Sequence, residues 1–222
     1  MTLRGTVVVF FLLLCVTLLH LASSANLRPH LIENEKNTKK SLEQIGLGIT
    51  RNPDTVDELD IKAYLGLWYQ MYADAVVVNT FEKDAYCDTA LYGDNGNGTL
   101  SVHNYAKTGS PDGETYVIDG YAFQSNMPDE PGRLKVAFDS DEAAPFPAPY
   151  WILELGPINA NGLYDWAIVS DNLSYFLFVL ARDPQEFYDK YDAEVQGIMD
   201  DLGFTGHTKP IPTYQGSDCV YE

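Results

Sequence analysis

From residue 61 onward, short apolar or alternating segments are separated by clusters of Gly, Pro, Asn and Asp. Eight such segments stand at 68–73, 85–92, 99–107, 115–124, 134–139, 150–155, 164–170 and 175–181. Between them lie turn sequences such as Asp94-Asn95-Gly96-Asn97-Gly98 and Gly109-Ser110-Pro111-Asp112-Gly113. Eight strands at hairpin spacing predict an all-β sandwich or a closed barrel. Successive strand side chains point to opposite faces, so the faces can be read directly. Leu134, Val136 and Phe138 share one face, Leu100, Val102, Asn104 and Ala106 another, and Tyr116, Ile118, Gly120 and Ala122 a third. Several strands are apolar on both sides, which a barrel filled or liganded inside and partly covered outside would need. Phe187, Tyr191, Val195, Ile198, Met199 and Leu202 then recur at helical spacing, predicting one amphipathic helix over 184–202. Asp183 and Pro184 supply its start and Gly203 its stop.

The N-terminus has a different character. Arg4 precedes an apolar run over 6–19, and Ala22-Ser23-Ser24-Ala25 offers small residues for cleavage. This pattern predicts a secretory signal peptide over 1–25. The run is shorter than the roughly 20 residues of a membrane span, so no stable anchor is expected after cleavage. Residues 26–60 are polar and predict a flexible or weakly helical extension. The folded domain is expected over 61–222.

Composition narrows the function. With 14 Lys+Arg against 32 Asp+Glu, the formal charge is −18. Nucleic acid needs a basic footprint and is excluded as a partner; anionic membrane surfaces are disfavoured. Once Cys15 leaves with the signal, Cys87 and Cys219 remain and predict one disulfide in an oxidising compartment. Asn97-Gly98-Thr99 and Asn172-Leu173-Ser174 are candidate glycosylation sites. The sequence holds no Gly-x-Ser-x-Gly, no His-Glu-x-x-His and no phosphate-cradling glycine loop. The acids lack calcium-loop spacing. No catalytic residue, metal ligand set or cofactor is therefore expected.

Three motifs then give the chain a family likeness. Gly66-Leu67-Trp68-Tyr69 opens the first strand, Tyr164-Asp165-Trp166 stands at the seventh, and Arg182 follows the eighth. In this order, around eight strands and one helix, the chain resembles a lipocalin, most of all the branch of apolipoprotein D and the bacterial outer-membrane lipocalins. The likeness covers about 64–222. It implies an eight-stranded antiparallel up-and-down barrel with one C-terminal helix packed outside. It implies that Gly66, Trp68, Asp165, Trp166 and Arg182 hold the fold, with Trp68 plugging the closed end under the Arg182 guanidinium. It also implies that Cys87 tethers the tail at Cys219, and that Tyr92, Asn104, Tyr150 and Phe178 line the cavity. If Cys87 points outward, alternation adds Tyr86, Asp88 and Ala90 to the lining; Val102, Ile118 and Val136 join it from the faces above.

The function implied is secreted transport of a small hydrophobic ligand: a lipid, sterol, fatty acid or pigment. A receptor or weak self-association stands beside it as a further partner. Two alternatives remain open. One is a lipid-modifying enzyme of isomerase or de-epoxidase type, with Asp88 as general acid. The other is an interaction protein whose barrel is packed shut. Quenching of Trp151 or Trp166 by a lipophile would report the first function.

Overall fold

The computed structural model describes residues 52–125, 129–139 and 146–221. The expected signal peptide over 1–25 and the extension up to residue 51 lie outside these. Eight strands form an up-and-down barrel: β1 (Gly66–Asp74), β2 (Ala85–Asp94), β3 (Leu100–Thr108), β4 (Glu114–Gln124), β5 (Arg133–Phe138), β6 (Ala148–Leu155), β7 (Trp166–Ser170) and β8 (Leu177–Ala181). Each pairs antiparallel with the next, and β1 pairs with both β2 and β8, which closes the ring. Closure leaves no unpaired edge to template aggregation.

Residues 52–60, placed at the end of the extension by sequence, are tied to the barrel. Asn52 N donates to Asn172 O at 2.8 Å and Val56 N to Ile152 O at 3.1 Å. Val56 and Leu59 pack against the interior. A single turn, α1 (Ile61–Tyr64), follows, capped by Asp60.

The apolar residues form two cores. One fills the barrel: Trp68, Tyr92, Val102, Ala122, Leu134, Ile152 and Val169 among others. The second lies outside it, where Met71, Tyr72, Trp166, Ile168 and Val179 meet Phe187, Val195 and Met199. That is why β7 and β8 are apolar on both faces. The covering helix differs from the single one expected. It is two helices, α3 (Pro184–Lys190) and α4 (Asp192–Asp201), interrupted at Tyr191, whose dihedrals are φ −116°, ψ −21°. The Tyr191 hydroxyl donates to Asp165 Oδ2 at 2.6 Å. Both halves keep the 3–4 spacing, so periodicity could not reveal the break. Gly203, at φ +84°, ends α4 in the conformation that glycine adopts without strain.

β1 pairs with β2 only over Gly66–Tyr69. Beyond that the two strands part, and the C-terminal tail fills the seam. β9 (Pro210–Pro212) pairs with Tyr72–Asp74, Thr213 N donates to Met71 O, and Cys87 N donates to Tyr214 O. Gln215 Nε2 bonds both Gln70 O and Asp88 O. The Cys87–Cys219 disulfide locks the tail in place across 132 residues of sequence.

Candidate functional site

The closed end is built around Trp68. Its indole nitrogen donates to Tyr64 O at 2.8 Å. The Arg182 guanidinium carbon lies 3.6 Å from its ring centroid. Arg182 also donates to the carbonyls of Tyr164, Leu67 and Ala63. Burial lowers its pKa to about 10, leaving it cationic at neutral pH. Gly66, at φ +96°, sits directly beneath it; a Cβ there would be 3.5 Å from Nη1. Asp165 accepts from Asn159 and Tyr191, linking this end to the helices outside.

Above the plug stand three tyrosines. The Tyr150 hydroxyl is 2.7 Å from that of Tyr64 and 3.0 Å from that of Tyr92. Tyr64 stacks on Tyr92 at 5.7 Å and tilts against Trp68 at 5.1 Å. Desolvation raises all three pKa values, Tyr92 to about 12, so the phenols are neutral. Three hydroxyl protons serve two mutual bonds, so one donor is left over.

The wall toward the open end is polar. Asn104 lies opposite Ala90 on β2 and Ile118 on β4. Gln70 Nε2 donates to Glu82 Oε2 at 2.7 Å and to Thr213 Oγ1 at 3.0 Å. Asp88 is buried, and desolvation raises its pKa; Glu82 is raised by desolvation and by the nearby Asp88 and Asp74 carboxyls. Among the described residues, Asp88 Oδ2 and Asn104 Oδ1 are buried without a hydrogen-bond partner. At the mouth Phe81 packs edge-on to Phe176 at 5.6 Å and lies 6.5 Å from Phe178.

The structure places Tyr92, Asn104, Tyr150, Phe178, Val102, Ile118 and Val136 on the interior faces. Tyr86 is a correction. The β2–β3 register shifts between Tyr86 and Thr89, and Cys87 takes φ +59°. This bulge adds one residue and reverses the parity below it. Tyr86 pairs with Lys107 and meets Tyr214 of the tail edge-on at 5.7 Å, on the outer face. Of the three tryptophans only Trp68 is interior; Trp151 and Trp166 belong to the outer core. They are poor reporters of the lumen.

Tyr64, Gln70, Phe81 and Glu82 are site residues that the sequence pattern missed. Gln70, two positions after Trp68 on one strand, was legible by alternation. Tyr64 sits in a helical turn and Phe81 and Glu82 in a loop, where no period applies. Asn97 lies in the exposed β2–β3 turn and Asn172 in the β7–β8 turn. Among the described residues no group of three His, Cys, Asp or Glu could hold a metal ion.

Comparison with known proteins agrees with this architecture. Residues 59–209 match the model of the lipocalin-like domain. The chain is 37% identical over 145 residues to apolipoprotein D of Rattus norvegicus, covering 62% of this chain and 68% of that one. It is 30% identical over 138 residues to the outer membrane lipoprotein Blc of Vibrio cholerae, covering 62% and 73%. Among solved structures, insecticyanin of the tobacco hornworm Manduca sexta superposes with a TM-score of 0.58 at 15% identity, over 76% of this chain and 88% of that one. With an eight-stranded barrel, a tryptophan plug under its arginine and a helical cover outside, this chain belongs to the lipocalin family.

Proposed function

We propose that this protein is a secreted carrier that holds one small hydrophobic molecule, such as a lipid, sterol, fatty acid or pigment, in the barrel. The carrying observation is the interior itself. Aromatic and aliphatic side chains line it, and a few polar groups there (the tyrosine hydroxyl chain, Asn104 and Asp88) have unused hydrogen-bonding capacity. Apolar lining with a small number of convergent polar groups is the chemistry of small-molecule sites. The ligand-lining set is Tyr92, Asn104, Tyr150, Phe178, Val102, Ile118 and Val136, joined by Tyr64. Export by the segment 1–25, glycosylation at Asn97 and Asn172, and the disulfide fit an oxidising extracellular setting. Equilibrium dialysis against fatty acids, sterols and polyenes tests the proposal: uptake of one molecule per chain is expected, and no uptake of any would overturn it.

Lipid modification is the second reading, and one observation favours it: Asp88 is a buried carboxyl whose pKa desolvation raises to about 7, so it can give and take a proton near neutral pH. Turnover of a bound lipophile, abolished in Asp88→Asn with binding kept, would establish it.

A further inference from the structure

The polar wall beneath the mouth has an asymmetry that the carrier function does not by itself require. Asp88 is only 8% exposed, and its Oδ2 has no hydrogen-bond partner among the described residues. Asp88 lies in the bulged stretch between Tyr86 and Thr89, two residues before the interior Ala90, and its carboxyl is near enough to Glu82 to raise that group's pKa. Asn104 stands opposite Ala90, two residues along β2 from Asp88. Its Oδ1 is also buried without a partner. Asn104 Oδ1 is an acceptor, and so is Asp88 Oδ2 when the carboxyl is ionised. The Gln70 amide on this wall is already committed to Glu82 and Thr213. Leaving a buried acceptor unsatisfied is costly, and two such atoms beside a second carboxyl suit a ligand that brings donors.

We propose that this wall, formed by Asp88, Asn104 and Glu82, selects a lipophile carrying a protonated amine, with its hydrocarbon body lying among Phe178, Val102 and the tyrosines. This rests on the carrier reading and deepens it by naming the head group. An ammonium brings only donors, up to three, and a charge opposite to that of the wall. A hydroxyl brings one donor and no charge. A carboxylate brings acceptors and a like charge, which the wall repels. The groups facing Glu82 are Asp88 from β2, Asp74 from β1 and the neutral Gln70 amide; those packed on Asp74 add Asp171. All the charged members are acids. Burial raises the Asp88 pKa to about 7 and pushes Glu82 up as well, so at neutral pH both carboxyls can hold a proton. The arriving ammonium stabilises the carboxylate form, so a proton leaves to solvent as the ligand binds.

Three ligands with the same tail test this: dodecylamine, dodecanol and laurate, each below its micellar concentration, titrated calorimetrically into the folded protein near neutral pH. Dodecylamine is expected to bind at least about tenfold more tightly than the other two, the scale of one charge-assisted hydrogen bond. Its apparent enthalpy should shift between buffers of different ionisation enthalpy, reporting the released proton. Asp88→Asn and, independently, Glu82→Gln should each shrink the ratio of dodecylamine to dodecanol affinity measured in the same variant. Dodecanol or laurate binding as tightly as the amine would overturn the head-group assignment and leave the carrier function standing. Binding of none of the three would overturn both. The comparison within the unmodified protein decides the matter even if a variant fails to fold.

Discussion

Arg182 covers the face of Trp68 at 3.6 Å while its three nitrogens bond the carbonyls of Ala63, Tyr164 and Leu67. One side chain thus seals the plug, the entry turn and the β6–β7 connection together. Trp68→Ala should destabilise the fold by about 3–5 kcal/mol, the cost of a large buried truncation. Arg182→Lys keeps the charge but loses the planar fork and stacking, and should cost about 2 kcal/mol. Urea unfolding of both variants gives the values; a near-neutral result for Trp68→Ala would remove its role as the plug.

The tail is part of the barrel wall, since it bridges β1 and β2 where they part. Non-reducing peptide mapping should recover Cys87 joined to Cys219. Cys219→Ser should lower stability by about 2–5 kcal/mol through loss of loop closure. Amide exchange should rise first along 70–74 and 85–88, the two sides of the seam. Uniform acceleration across the barrel would contradict the local role of the tail.

Asp74 caps α2 (Ala75–Asn79) and also accepts from Leu177 N at 2.5 Å. Burial raises its pKa from 3.8 to about 6 despite these bonds. The folded state therefore holds this proton more tightly than the unfolded chain. The resulting stability is fully present below about pH 4 and is lost as pH rises through 6; the shift corresponds to about 3 kcal/mol. Asp88, Glu82 and Asp171 are shifted in the same direction by desolvation. Urea midpoints should be higher at pH 5 than at pH 8, the reverse of ordinary acid sensitivity. Asp74→Asn, which keeps a capping oxygen, should flatten the difference.

Inner and outer faces of β2 and β6 separate binding from packing. Tyr150→Ala removes an interior ring and should weaken lipophile binding about tenfold, the worth of 1–2 kcal/mol of lost apolar contact. Tyr86→Ala removes an outer ring that touches the tail, and should leave binding unchanged while lowering stability modestly. Equal effects of the two on binding would mean that the bulge does not set the parity of β2.

The barrel was legible in the sequence because strand alternation and turn residues are local signals. The eight expected segments and the eight strands differ at their ends by at most two residues. Parity carried through β3, β4 and β5, so Asn104, Ile118 and Val136 were placed correctly on the interior. It failed at Tyr86, because a positive φ at Cys87 leaves no trace in the hydrophobic pattern. The part of the site that matters most for head-group chemistry, Glu82 beside Asp88, joins a loop to a strand. Its formation depends on how the loop folds over the mouth, which no period encodes. The same holds for Tyr64, brought under Tyr150 by a single helical turn.

The central claim is that the barrel interior carries a small lipophile, and native mass spectrometry of the purified protein tests it most directly. One bound small molecule per chain is predicted, lost on organic extraction and regained on incubation with a lipophile. A bare polypeptide mass, unchanged after incubation with amines, alcohols, fatty acids and sterols, would contradict it.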